Sequence, residues 1–183
     1  VLYSLSLNIL GECRLCGWEC GVNRFHDNRG RCGLGSDALW GSPFIHIAEE
    51  PVINPAIVTN FKGCALNCLY CIDHETLKAA PHSPLDPKAF WNEIQKLQGQ
   101  EVPVTALEFT NPTESLPGLI HILKNAPKLF NLPVVLNCHL FGSAQFWELV
   151  KFIFDVYLPD LRYGNDKCAK KLSGVDNYMK YAK

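Results

Sequence analysis

From residue 57 onward the chain switches between two rhythms of apolar and polar positions. Short β-branched and aromatic blocks, IVTNF (57–61), VTALEFT (104–110), PVVLNCH (133–139) and DVYLPDL (155–161), read as strands. Between them apolar residues return at helical spacing. Phe90, Trp91, Ile94 and Leu97 predict a helix over 87–99, with Asp86 and Pro87 at its start and Gly99 at its end. SLPGLIHILKNA (115–126) and SAQFWELVKFI (143–153) predict two more, capped by Ser115 and Ser143, and a last helix is expected over 166–173. FIHIA (44–48) suggests a short additional strand, and the prolines of EEPVINP mark a connection. Residues 11–35 show no steady period and read as loops.

The order β-loop-α, β-α, β-α, β-α implies an α/β fold with a parallel sheet and helical crossovers. Reacting groups in such folds gather beyond the C-terminal ends of the strands. The cysteine loop 63–71, the polar run 110–114, Asn137 to His139 and Pro159 to Arg162 all fall there. About four β/α units are present, too few to close an eight-stranded barrel. The chain opens on Val1 rather than Met, which reads as a start inside a longer sequence or as processing, and it ends on KYAK without an obvious terminal element, so the reading is a partial (β/α) barrel truncated at its C-terminal end. Two parts are expected: a small irregular cysteine-rich module over 1–50 and the sheet-bearing part over 51–183.

Composition narrows the functions. The 183 residues are 48% hydrophobic and 19% charged, as in a folded globular protein. The net charge of −1 offers no electrostatic case for nucleic acid or an anionic membrane. Arg24, His26, Arg29 and Arg31 form a local basic patch that reads as a solvated loop. The apolar opening VLYSLSLNIL has no basic leader or cleavage site, and no stretch is long enough to cross a bilayer. Nine cysteines, seven of them in two tight clusters, suit metal ligation in a reducing compartment, the cytoplasm, better than a disulfide framework.

The spacing Cys64-x3-Cys68-x2-Cys71 lets three thiolates wrap one face of a cubane [4Fe–4S] cluster and leave one iron open to a small molecule. The plainer alternatives are a structural zinc site or three unligated core cysteines. Cys13, Cys16, Cys20 and Cys32 form a second set, with Gly17, Gly21, Gly30 and Gly33 easing tight turns. Zinc, a second iron–sulfur cluster, and disulfides or free thiols all remain open there. Cys138 and Cys168 read as a buried small residue and a surface helix residue.

CxxxCxxC after a first strand resembles the radical S-adenosylmethionine (SAM) enzymes. NFKGCALNCLYCIDHE, ECRLCGWECGVNRFHDNRGRCGLG, FTNPTESLP and DVYLPDLRYGNDKCAKKLSGVDNY resemble a branch similar to pyruvate formate-lyase activating enzyme, with an additional cysteine-rich N-terminus. The resemblance implies an enzyme that reductively cleaves SAM to a 5′-deoxyadenosyl radical for hydrogen abstraction. It implies a reductant such as flavodoxin or ferredoxin and a protein, peptide or small-molecule substrate. It maps cofactor contacts to Tyr70, Asn111, Thr113 and Asn137, although Phe109-Thr110-Asn111-Pro112 lacks both glycines and the acid of the usual GGEP motif. A non-enzymatic iron–sulfur electron carrier or assembly protein is the alternative. Glu75, His139, Asp160, Arg162 and Tyr163 are further candidates for contacts at this edge, and Lys62 reads as a solvated lysine.

Overall fold

A computed structural model of the chain describes residues 2–26, 29–48, 50–75 and 82–183. Its centre is a five-stranded sheet in the order β2-β3-β5-β6-β7. These strands are β2 (Phe44–His46), β3 (Ala56–Asn60), β5 (Ala106–Thr110), β6 (Val134–Cys138) and β7 (Val156–Pro159). β3, β5, β6 and β7 run parallel, whereas β2 joins the edge antiparallel, with Phe44 opposite Val58. Two further strands, β1 (Leu39–Trp40) and β4 (Ser83–Pro84), pair on their own.

β3, β5 and β6 form where expected because both of their faces are covered, whereas β7 at the sheet edge is only partly buried. Every residue of β3 is buried, as are four of the five in β5. A continuous apolar block is the signature of such a strand. One face packs under α2 (Pro87–Gln98), α3 (Leu116–Lys124) and α4 (Ala144–Val150), around Phe61, Phe90, Leu107, Phe109, Leu136 and Phe146. The opposite face holds the smaller cluster Ile53, Ala56, Val58, Ala106 and Val135.

Local chemistry sets the helix ends. Asp86 accepts from the Ala89 N–H at 2.7 Å, and Ser143 Oγ accepts from the Phe146 N–H at 3.2 Å. Both are N-caps that satisfy a donor the first turn cannot. The expected Ser115 cap is not formed: residues Thr113–Ser115 make a 3-10 turn, and the Ser115 side chain makes no capping bond. α5 (Asp166–Ser173) occupies its expected span, with Asn165 as cap and Gly174 in the left-handed conformation at its end. α6 (Tyr178–Ala182) follows.

The N-terminal stretch departs from expectation. Residues Leu2–Asn8 form α1, which packs on α3 with Tyr3 against His121 at 4.6 Å between rings. Beyond it the cysteine-rich loops are bound to the sheet edge. Gly17 N–H donates to Phe141 O at 2.8 Å, and Ser143 N–H donates to Leu15 O at 2.9 Å. Leu10, Leu15 and Leu34 are buried. Among the described residues no helix is long and apolar enough to cross a membrane.

Candidate functional site

The register of the parallel strands brings four chain segments to one edge. Asn60, Thr110, Cys138 and Pro159 close β3, β5, β6 and β7; a polar residue follows β5, β6 and β7 at once, and Lys62 follows β3 after the buried Phe61. After β3 the chain turns at Gly63, with φ at +85°. A Cβ there would lie 2.8 Å from the Leu34 side chain and 3.0 Å from the Cys32 carbonyl oxygen, so only glycine admits this approach. The loop then carries Cys64, Cys68 and Cys71.

Each thiol engages different partners. Cys68 Sγ lies 3.0 Å from Ser173 Oγ and 3.5 Å from Tyr163 Oη, and these two hydroxyls also contact each other, so the three groups share their protons in one small network. Cys71 sits on an open turn, its N–H donating to Cys68 O at 3.2 Å, and partial burial raises its pKa. Cys64 lies beside the wholly buried His139. His139 Nδ1 lies 3.2 Å from the Phe141 backbone nitrogen, and Nε2 stands 3.6 Å from Glu114 Oε1. Burial disfavours charge on this ring, but Cys64 and Glu114 outweigh it and hold its pKa well above the ordinary imidazole value. Glu114 Oε1 in turn accepts from the Ala65 N–H at 3.0 Å, which ties the carboxylate to the cysteine loop.

A cavity of about 100 Å³ opens at this edge, lined by the three thiols together with Tyr70, Asn111, His139 and Arg162. Asn111 takes a left-handed φ of 49°, a conformation asparagine tolerates better than most residues, and donates its N–H to Asn137 O at 2.8 Å. Tyr70 is 46% exposed and meets Tyr163 edge-on at 6.3 Å. Arg162 pairs with Asp160 at 2.5 Å. Thr113 and Asn137 do not line this cavity. Thr113 is buried in its 3-10 turn, and Asn137 Nδ2 donates to Glu108 Oε1 at 2.9 Å.

Sequence reasoning places the run 110–114 at this edge without distinguishing Glu114, and it misreads Arg24. Arg24 is 2% exposed rather than solvated. Its guanidinium donates to Gly35 O at 2.8 Å and Glu114 O at 2.7 Å, and reaches Cys13 Sγ at 3.7 Å. The only sequence signal was position: an acid at the end of the polar run after β5, and an arginine amid cysteines and glycines.

Several expectations are overturned here. Among the described residues no group of three or more His, Cys, Asp or Glu side chains is placed to hold a metal ion, and both cysteine sets fall within that search. The [4Fe–4S] cluster on Cys64, Cys68 and Cys71 is therefore not upheld. The cavity that all three thiols line is about 100 Å³, below the roughly 300–1,000 Å³ typical of cofactor pockets, so the expected SAM contacts around it are not upheld either. In the second set, Cys13 and Cys16 are buried and Cys32 half-buried, whereas Cys20 is exposed, so four converging ligands for zinc or a second cluster do not form. Burial instead raises the pKa of Cys16 and pushes that of Cys32 up to about 11, keeping both as neutral thiols.

Comparison with known proteins assigns no family. No protein-family profile matches the chain, and no solved structure matches it. The chain is 31% identical to the uncharacterized protein MJ0674 of Methanocaldococcus jannaschii over 96% of its own length, and spans 52% of that protein. Neither the radical SAM resemblance, nor the SAM-cleaving activity drawn from it, nor the iron–sulfur carrier alternative is supported by these findings.

Tyr178 fastens the later segments to the site. Its hydroxyl donates to His139 O at 2.9 Å, lies 3.2 Å from Asp160 O, and accepts from the Arg162 N–H at 2.9 Å. Burial raises its pKa. A folded-state value above the unfolded one gives stability that is complete below the unfolded pKa of about 10 and is lost as pH climbs through the folded value. We expect the melting temperature to fall as pH rises above about 10, and Tyr178→Phe to flatten part of that decline. An identical profile in the variant would show that this hydroxyl does not contribute.

Proposed function

We propose that the chain carries the reaction site of an enzyme acting on a small polar molecule, bound at the C-terminal edge of the parallel sheet with its reacting atom beside the Cys64 thiol. One convergence carries the reading. Around a single cavity stand three thiols, Cys64 among them, and the buried Asn111 Oδ1, which has no hydrogen bond, with Glu114 Oε2 unpaired close behind His139. Buried polar atoms are normally paired, and a bound molecule is what would pair these. Asn111 and Glu114 offer acceptors and so call for N–H or O–H groups on the ligand. Arg162 at the rim favours a carboxylate or phosphate on the same molecule. Cys64 is the strongest nucleophile in the set, and the buried His139–Glu114 pair beside it fixes its surroundings.

A partial (β/α) barrel belongs to the same proposal, supported by four consecutive parallel strands that alternate with helices. A reducing, cytoplasmic setting belongs to it too, supported by nine cysteines that are all free.

Alkylation tests the site. Iodoacetate and iodoacetamide both form an S–C bond with loss of iodide, and they differ in charge. Peptide mass spectrometry should find Cys64 modified by both. The rate ratio of iodoacetate to iodoacetamide at Cys64 should fall about threefold in Arg162→Ala, while the ratios at Cys20 and Cys168 stay unchanged. A Cys64 that resists both reagents, or a ratio indifferent to Arg162, overturns the proposal.

A further inference from the structure

The loop that carries Cys64 has a second side. Behind residues 62–67 lies a larger cavity of about 580 Å³, within the size range of small-molecule sites. It is bounded by the N-terminal segment through Trp18, Arg31 and Leu34, by Lys62 and Asn67 of the loop, and by Ser173 at the end of α5. Two cations line it, and its lining residues include no aspartate or glutamate. In a chain whose net charge is −1, that local excess of positive charge is a feature of the cavity and not of the surface at large.

The wall is built before any ligand arrives. Trp18 Nε1 donates to Ala65 O at 2.8 Å, which fixes the indole across the N-terminal segment and the cysteine loop. The Arg31 guanidinium stacks over that indole at 4.1 Å. A stacked guanidinium keeps its in-plane N–H donors free to fork onto an anion and gives up little rotamer freedom in doing so. Lys62 adds a point charge from the adjoining loop.

We infer that this cavity is a binding site for an organic anion of nucleotide size, its phosphate or carboxylate held between Arg31 and Lys62. The site is separate from the small cavity around Asn111 and Arg162, sharing with it the wall Cys64, Leu66 and Asn67. Occupancy would therefore order the loop that presents Cys64 on its other side.

Isothermal titration of the whole chain with ADP, inorganic pyrophosphate and citrate, each at low and high salt, tests the inference. At least one probe should bind, more weakly at high salt. Arg31→Ala and Lys62→Gln should each weaken that probe about tenfold, while Arg162→Ala leaves it unchanged. Arg31→Lys should recover less than half of the loss if the planar fork matters. Binding of ADP and pyrophosphate but not citrate assigns a phosphate, and the converse assigns a carboxylate. Lys62 is partly exposed, so its variant should fold with an unaltered melting temperature. No binding by any probe, or binding indifferent to Arg31 and Lys62, overturns the inference. A drop caused by Arg162→Ala alone would transfer the anion to the smaller cavity.

Discussion

Arg24→Ala is expected to destabilise the fold by about 3–5 kcal/mol, read as a loss of urea midpoint with the slope unchanged. The guanidinium is buried and joins two parts of the chain that lie far apart in sequence, Gly35 O and Glu114 O. Truncation removes a charged donor from two carbonyls at once, strands them away from water and leaves a cavity. The penalty is structural first, but it should also reach the site. Glu114 is held from its backbone by Arg24 and from its carboxylate by the Ala65 N–H. Releasing one anchor loosens the carboxylate beside His139. Arg24→Lys keeps the charge without the fork, so it should recover only part of the stability. If alanine costs less than about 1 kcal/mol, water has replaced the arginine and the N-terminal segment is not fastened through it.

Phe109→Ala should cost about 3–5 kcal/mol and lower the melting temperature by roughly 8–15 °C. The ring is fully buried near the C-terminal end of β5 and lies 6.1 Å from Phe61, 6.0 Å from Phe90 and 6.4 Å from Phe154. These partners come from a strand end, a helix and a loop, so no single element can relax into the void. Phe109→Leu preserves most of the volume and should lose less than half as much. A scanning calorimetry shift of only a degree or two for alanine would show that the aromatic cluster repacks around the gap.

Much of this architecture was legible because its causes are local. Strands β3, β5 and β6 announce themselves as apolar blocks, since a strand covered on both faces has no polar side to show. α2 and α4 were legible for a second reason: their caps, Asp86 and Ser143, act within three residues of themselves. The failure at Ser115 has the same root in reverse. Pro112 to Ser115 tighten into a 3-10 turn before the helix begins, and the serine makes no capping bond. α1 was missed because its stability comes from packing against α3 and not from caps or charge.

The site was only half legible. Alternation of strand and helix correctly sent the cysteine loop, residues 110–114 and His139 to one edge, because parallel strands with helical crossovers must all end there. Cysteine spacing, by contrast, did not determine ligation. Whether thiols converge depends on the direction each sulfur takes after folding, and Cys68 takes Ser173 and Tyr163 as partners while Cys64 takes His139.

By itself, then, the sequence determined which segments become strands and helices and which edge of the sheet collects the reactive groups, since periodicity and capping are settled within a few residues. The tertiary structure alone decided that Arg24 is a buried fastener, that Glu114 and His139 face each other behind Cys64, and that the cysteines do not form a metal cage. Those outcomes join residues up to ninety positions apart. They are set by which side chains the packed core leaves room for and which polar atoms it obliges to pair.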